Sequence, residues 1–268
     1  MEPFKVLCIG GSDTSGGAGI QADLKAVSAS CCWGLSVVTA VTAQNTKGVS
    51  GIYPISPAFV GRQMDAVLQD IGADALKTGM LPTSEIVQVV AKNIKKYKLT
   101  KVVVDPVMIA KGGKTLMPNK TRTALVNNLL PLAFAVTPNI PEAEILAKMK
   151  IKSIGDMKKA AVKIHGLGVN NVLIKGGHLP DKKQSNVIDI LYDGSYYEFS
   201  APRINSRDTH GTGCTFASAL AAGIAKGQSI VDATWQAKIM ITAAIENALS
   251  LGKGYGSVNV FGKNILNK

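Results

Sequence analysis

At 268 residues, with 46% apolar and 18% charged side chains, the chain is long enough to bury a sizeable core and carries neither a low-complexity tract nor a Pro/Gly/Ser-rich linker. This argues against a disordered or tethered-module organisation and for one domain over residues 1–268. A net charge of +12, from 30 Lys and Arg against 18 Asp and Glu, is compatible with anionic ligands or nucleic acid, yet much of the excess falls on helix faces that solvent explains, such as Lys92, Lys95, Lys96 and Lys98.

Short apolar or β-branched runs alternate with longer helical patterns, the signature of a parallel sheet with crossover helices, so the fold class is α/β. Strands are predicted over residues 5–9, 35–42, 75–78, 101–104, 133–137 and 171–174. Their unbroken apolar character suits burial on both faces. Helices are predicted to begin at Ser56-Pro57, at Ser84 and at Ser229, the last running to about Leu249. Residues 187–192 and 196–199, around Asp193-Gly194-Ser195, read as a β-hairpin at the sheet edge. No apolar run approaches the roughly 20 residues of a membrane span, and the start of the chain lacks the length and basic flank of a signal peptide. No zinc-finger, RNP-like or helix-turn-helix pattern supports a nucleic-acid partner. Cys8, Cys31, Cys32 and Cys214 have neither metal-ligand nor disulfide spacing, which fits a reducing cytoplasm.

In such folds ligands gather beyond the C-terminal ends of parallel strands, and the motifs fall there. The first predicted strand runs into a loop of glycines and small polar residues from Gly10 to Asp23, permissive enough for backbone to approach a ligand. It matches neither a P-loop nor a dinucleotide fingerprint, and Asp13 and Asp23 are equally readable as turn or cap residues. Asp105-Pro106 and Thr137-Pro138-Asn139-Ile140-Pro141-Glu142 place carboxylates at two more strand ends, a set suited to Mg²⁺ or to turn and cap roles. Lys175 precedes Gly176-Gly177-His178 and is a candidate phosphate or nucleotide contact, with His178 a loop residue. The segment Asp208-Thr209-His210-Gly211-Thr212-Gly213-Cys214-Thr215 reads as an anion cradle opening a helix, or as a Thr-capped helix start.

Taken together and in order, these motifs, with Thr42-Ala43-Gln44-Asn45-Thr46 and Leu76-Lys77-Thr78-Gly79-Met80, resemble the ribokinase superfamily over the whole chain, and within it the hydroxymethylpyrimidine/phosphomethylpyrimidine kinases of thiamine biosynthesis. The resemblance implies a three-layer sandwich with a mostly parallel central sheet flanked by helices. It also implies ATP and Mg²⁺ as cofactors, two successive phosphorylations of an aminopyrimidine, and a homodimer without nucleic-acid or membrane partners. By the same resemblance Gly11, Asp23, Gln44, Met80 and Val107 hold the pyrimidine, Gln44 by offering donor and acceptor to its edge. Asp105, Lys175, Thr209, Gly211, Gly213 and Lys238 contact nucleotide, Asp105 and Glu142 hold the metal, and Gly211, Thr212, Gly213 and Cys214 form the catalytic set. Cys214 stands where many related sugar kinases carry a basic aspartate. A helix N-terminus favours its thiolate below the usual pKa of about 8.5.

Residues Ile109-Ala110-Lys111-Gly112-Gly113-Lys114-Thr115 form a basic loop able to close over the reacting phosphate. A related branch acting on pyridoxal carries a cysteine in this loop. Ala110 in its place, together with Gln44, favours the pyrimidine over the rival reading of a pyridoxine/pyridoxal kinase. A ligand-binding protein that merely retains the pocket is the third reading.

Overall fold

The computed structural model describes residues 2–109, 116–179 and 185–262. The basic loop expected to close over the phosphate has its residues 110–115 outside the described residues.

Successive side chains of a strand point to opposite faces, and here both faces are dry. On β1 (Lys5–Gly11), Leu7 and Ile9 enter one hydrophobic cluster while Val6 and Cys8 enter another. β5 (Val102–Val104) divides in the same way, with Val102 and Val104 on one side and Val103 on the other. β6 (Ala135–Val136) and β7 (Asn171–Ile174) repeat the pattern, as do Ala75 and Leu76 of β4 (Ala75–Thr78), which is why these segments show no polar–apolar alternation.

β2 (Trp33–Asn45) lies beside β1, and β3 (Gly48–Pro54) turns back against it. β8 (Asn186–Tyr192) and β9 (Tyr196–Pro202) close the other side, giving one nine-stranded sheet in the order β3-β2-β1-β4-β5-β6-β7-β8-β9. The strands from β2 to β7 in that order are parallel neighbours, while β3, β8 and β9 run antiparallel at the two edges. One face is covered by α2 (Pro57–Asp70), α3 (Ser84–Lys96), α4 (Asn119–Ala124), α5 (Ile140–Ala147) and α6 (Ile154–His165). The other is covered by α1 (Gly19–Ala29), α7 (Thr212–Ala225) and α8 (Ile230–Glu246). The result is a helix–sheet–helix sandwich with a mostly parallel sheet.

Several boundaries differ from the sequence reading, among them β1, which runs on to Gly11, and β6, which shortens to Ala135–Val136. β2 runs on to Asn45 and so carries Gln44 at its far end, and the antiparallel edge β3 was not foreseen because its polar, glycine-broken pattern resembles a loop. α3 is capped by Thr83, whose side chain accepts from Ile86 N–H, with Ser84 already inside the helix. α8 stops at Glu246, short of Leu249.

Thr83→Ala is expected to remove about 1 kcal/mol of stability through the lost cap and to lower Tm by about 2–3 °C. Thermal unfolding monitored by circular dichroism would show it, and an unchanged Tm would contradict the cap.

Candidate active site

The C-terminal ends of the central strands open onto a cleft of about 560 Å³, a size suited to a small ligand with a nucleotide. Every residue marked out by sequence lines it: Gly11, Asp23, Gln44, Met80, Val107, Asp105, Glu142, Lys175, Thr209, Gly211, Thr212, Gly213, Cys214 and Lys238. Their local geometry separates open groups from occupied ones.

α7 begins at Gly211, whose φ of +83° suits glycine and where a Cβ would lie 1.8 Å from the Gly17 carbonyl oxygen. The sequence left open a threonine cap for this helix, but the Thr212 hydroxyl donates backward to Thr209 O (2.7 Å) and no side chain caps α7. Its positive end therefore faces the cleft without a side-chain cap. Gly213 lies beside the same charges: a Cβ there would stand 3.4 Å from Lys175 Nζ and 3.6 Å from Asp105 Oδ2, in ordinary contact with both.

Two buried ion pairs lie beneath this turn. Lys77, on the face of β4 that meets α1 and α7, donates to Asp23 Oδ1 at 2.7 Å, and both side chains have no solvent exposure. Ser218 of α7 donates to the same oxygen (2.8 Å), while Asp23 Oδ2 has no partner. Burial raises the Asp23 carboxyl pKa against the pull of Lys77. Burial likewise opposes the Lys77 charge, but Asp23, Cys214 and Asp105 more than reverse it and hold the ammonium firmly protonated. Lys175, at the end of β7, donates to Asp105 Oδ1 (3.1 Å), which also accepts from Thr137 Oγ1 (3.2 Å). Burial again works against the lysine, and Asp105 and Glu142 raise its pKa.

Glu142 is fixed by a reciprocal cap at the start of α5: its Oε2 accepts from Asn139 N–H (2.9 Å), and Asn139 Oδ1 accepts from Glu142 N–H (3.0 Å). Burial, with Asp105 as a like charge nearby, pushes its carboxyl up to about 7 despite the pull of Lys175.

Cys214, half-buried in the first turn of α7, corrects the sequence expectation of a favoured thiolate. Desolvation, aided by Asp23 and Asp105, pushes its thiol up to about 11, overcoming Lys77 and the Gly19 N–H. Lys238 is also not a free cation: its ammonium donates to Asp189 Oδ2 (2.7 Å) and Val187 O (3.2 Å), while Asp189 Oδ1 accepts from Gly176 N–H (2.8 Å). It thus braces the turn that follows Lys175.

Sequence reasoning gave no role to Lys77 or His210. A lysine inside the apolar run Ala75-Leu76-Lys77-Thr78 is itself a signal, because a charge in a central strand demands a buried partner. Asp13, readable as a mere turn former, organises its loop by accepting from Ser15 N–H (2.8 Å), Ser15 Oγ (2.7 Å) and Ala18 N–H (2.8 Å). Burial acts to raise its carboxyl, but His210 and these donors hold it down at about 2.

An uncapped helix start beside paired lysines and carboxylates, at the strand ends of a three-layer α/β/α sandwich, is an arrangement suited to transferring a phosphoryl group to a small molecule. The model of the phosphomethylpyrimidine kinase family matches residues 13–259. A hydroxymethylpyrimidine/phosphomethylpyrimidine kinase of Bacillus subtilis is 46% identical over all of this chain and 99% of its own length. A thiamine biosynthesis bifunctional protein of Geobacter sulfurreducens is 51% identical over 95% of this chain, which spans only 51% of that longer protein. Among solved structures, the ADP complex of Bacillus subtilis pyridoxal kinase superposes with a TM-score of 0.90 at 39% identity, covering 100% of both chains. The phosphomethylpyrimidine kinase of Clostridium difficile gives 0.80 at 42% identity, covering 90% of this chain and 99% of its own. The chain belongs to the phosphomethylpyrimidine kinase family.

Two outcomes follow from the buried charges. Lys77→Met strands the Asp23 carboxylate and is expected to cost about 3–5 kcal/mol, most of it recovered by adding Asp23→Asn. Urea denaturation tests this, and a loss below about 1 kcal/mol in the single variant contradicts the buried pair. In a Cys31→Ser background, the Cys214 thiol should ionise only as pH approaches about 11, so its alkylation by iodoacetamide should still be accelerating between pH 8 and pH 10. A plateau below pH 9 would contradict it.

Proposed function

We propose that this protein transfers the γ-phosphoryl group of ATP to the hydroxymethyl oxygen of 4-amino-5-hydroxymethyl-2-methylpyrimidine, and a second phosphoryl group to the resulting monophosphate, giving the diphosphate used for thiamine. The observation that carries this reading is the single cleft in which Gln44 and the uncapped start of α7 both lie. In each transfer the acceptor oxygen forms the new O–P bond, the bond between the γ-phosphorus and its bridging oxygen breaks, and ADP leaves. The names of the full-length bacterial relatives support both transfers.

Gly11, Asp23, Gln44, Met80 and Val107 are assigned to the acceptor, and Asp105, Lys175, Thr209, Gly211, Gly213 and Lys238 to the nucleotide, Lys238 acting through Asp189. Gly211, Thr212 and Gly213 shape the space where charge develops on the transferred group, which matters more than base strength in a loose transition state. Cys214 is assigned as the acceptor of the hydroxyl proton. Desolvation makes its thiolate scarce but strongly basic, and Lys77 is the cation that most favours it.

The resemblance implies Mg²⁺, and the donor set fits. Asp105 and Glu142 supply hard oxygens, and among the described residues no group of three or more His, Cys, Asp or Glu side chains is placed to hold a metal alone. Two carboxylates completed by phosphate and water match how Mg²⁺ binds, and the ion would neutralise phosphate charge.

One observation favours the rival reading of a pyridoxine/pyridoxal kinase, the superposition of the whole chain on a pyridoxal kinase at a TM-score of 0.90. The relatives' names and the amide at Gln44 favour the pyrimidine. We assign the chain to one domain, to the cytoplasm and to a homodimer, the last supported by the exposed Trp33, Val41 and Tyr53 near one sheet edge.

The deciding experiment is ATP-dependent product formation followed by mass spectrometry on the hydroxymethylpyrimidine, its monophosphate, pyridoxine and pyridoxal. Diphosphate formation with both pyrimidines preferred is expected, while preference for the pyridines would overturn the substrate. Cys214→Ala should lower kcat by about 10–100-fold, and near-wild-type turnover would assign catalysis to the helix end and lysines alone. Because the Glu142 proton must leave before the carboxylate can bind a cation, KM for Mg·ATP should fall about tenfold between pH 6 and pH 8. Glu142→Gln should flatten that profile.

A further inference from the structure

Three polar groups meet around Gln44 in an arrangement whose hydrogens can be counted. His210 Nε2 lies 2.7 Å from Asp13 Oδ2 and 3.3 Å from Gln44 Nε2. An ionised Asp13 only accepts, so the hydrogen in the shorter contact belongs to His210 and is carried on Nε2. A ring nitrogen that donates to Asp13 has no lone pair for the Gln44 NH₂ group. On the other side, the Thr42 hydroxyl donates its one hydrogen to Ser12 O at 2.8 Å, so its 3.5 Å contact with Gln44 Oε1 sets acceptor against acceptor.

Both mismatches vanish when the terminal amide is turned by 180°. Gln44 Nε2 then donates to Thr42 Oγ1, and Oε1 accepts from the Nε2–H that His210 shares with Asp13. Neither neighbour is free to reverse this. Thr42 is committed to Ser12, and Asp13 is committed to Ser15 and Ala18. The Gln44 backbone is itself pinned to Thr14 Oγ1 through both its N–H and its carbonyl.

We propose that His210 and Thr42 are positioning residues that lock the Gln44 amide in this one orientation, so that it offers one free acceptor and one free donor in fixed order and selects an amino-substituted ring over its oxo analogue. The selection rests on the aminopyrimidine reading above. An amino group donates to Gln44 Oε1 while the adjacent ring nitrogen accepts from Nε2. In the 4-oxo form the carbonyl opposes Oε1 and the ring N–H opposes Nε2–H. A freely rotating amide would turn and accept either ring, whereas a locked one rejects the second at both points.

The test compares kcat/KM for 4-amino-5-hydroxymethyl-2-methylpyrimidine and its 4-oxo analogue in wild type, His210→Leu, Thr42→Val and His210→Gln. The two lock-breaking variants should narrow the amino-to-oxo ratio about tenfold, chiefly through KM of the pyrimidine, with KM for ATP within about twofold of wild type. His210→Gln, which supplies an N–H at similar reach, should restore the ratio. Equal losses on both substrates, or an unchanged ratio, would overturn the proposal. A readout independent of turnover is ¹⁵N NMR of the His210 ring in the free protein, where an unprotonated Nε2 would also overturn it. Wild type that phosphorylates neither pyrimidine while His210 retains Nε2–H would reject the aminopyrimidine reading, and with it the selection, but leave the locked amide standing.

Discussion

Charge taken out of water at the ends of the parallel strands is stable only in pairs, and that constraint organises the rest of the molecule. Lys77 with Asp23, Lys175 with Asp105 and Lys238 with Asp189 each join elements distant in sequence: β4 to α1, the end of β7 to the end of β5, and α8 to β8. Replacing such pairs by apolar residues is often neutral or stabilising, so their presence points to what they do for the cleft. They fix ammonium groups and carboxylates within reach of one another without leaving any of these charges alone.

The pairing also alters how the net charge of +12 is understood. Inside the cleft lysines and carboxylates largely cancel, so an arriving anion meets the uncapped end of α7 and one shared lysine instead of a broad positive field. Much of the excess lies on outer faces, where Lys92, Lys95 and Lys163 are exposed on α3 and α6. The positive potential of the cleft is therefore local, set by geometry within a few ångströms, and less sensitive to salt than a surface charge would be.

Much of the architecture was legible in the sequence because the physics is local. β4 and β7 coincide with the predicted runs since strands buried on both faces leave short, compact runs that lack the alternation of a half-exposed strand, even with Lys77 inside β4. β3 escaped because an edge strand faces water and its glycines imitate a turn. The candidate site was legible where glycines open a helix, as at Gly211 and Gly213, and where proline follows a strand end, as at Asp105-Pro106. Partner choice was not. That Lys238 is occupied by Asp189, that Asp23 is occupied by Lys77, and that Asp13 reaches His210 are facts of packing between residues 49, 54 and 197 positions apart, respectively.

The Cys214 expectation failed for a related reason. A helix N-terminus favours a thiolate through a fixed dipole, and sequence reveals the helix start. Desolvation depends on what stands around the sulfur, and here Asp23 and Asp105 stand close enough to add their own repulsion. The same surroundings push up Glu142, so the free cleft carries less negative charge than its carboxylates and thiol would suggest by count. The buried lysines, whose ammonium groups are held protonated by the carboxylates paired with them, keep their charge where Glu142 and Cys214 are driven towards neutrality.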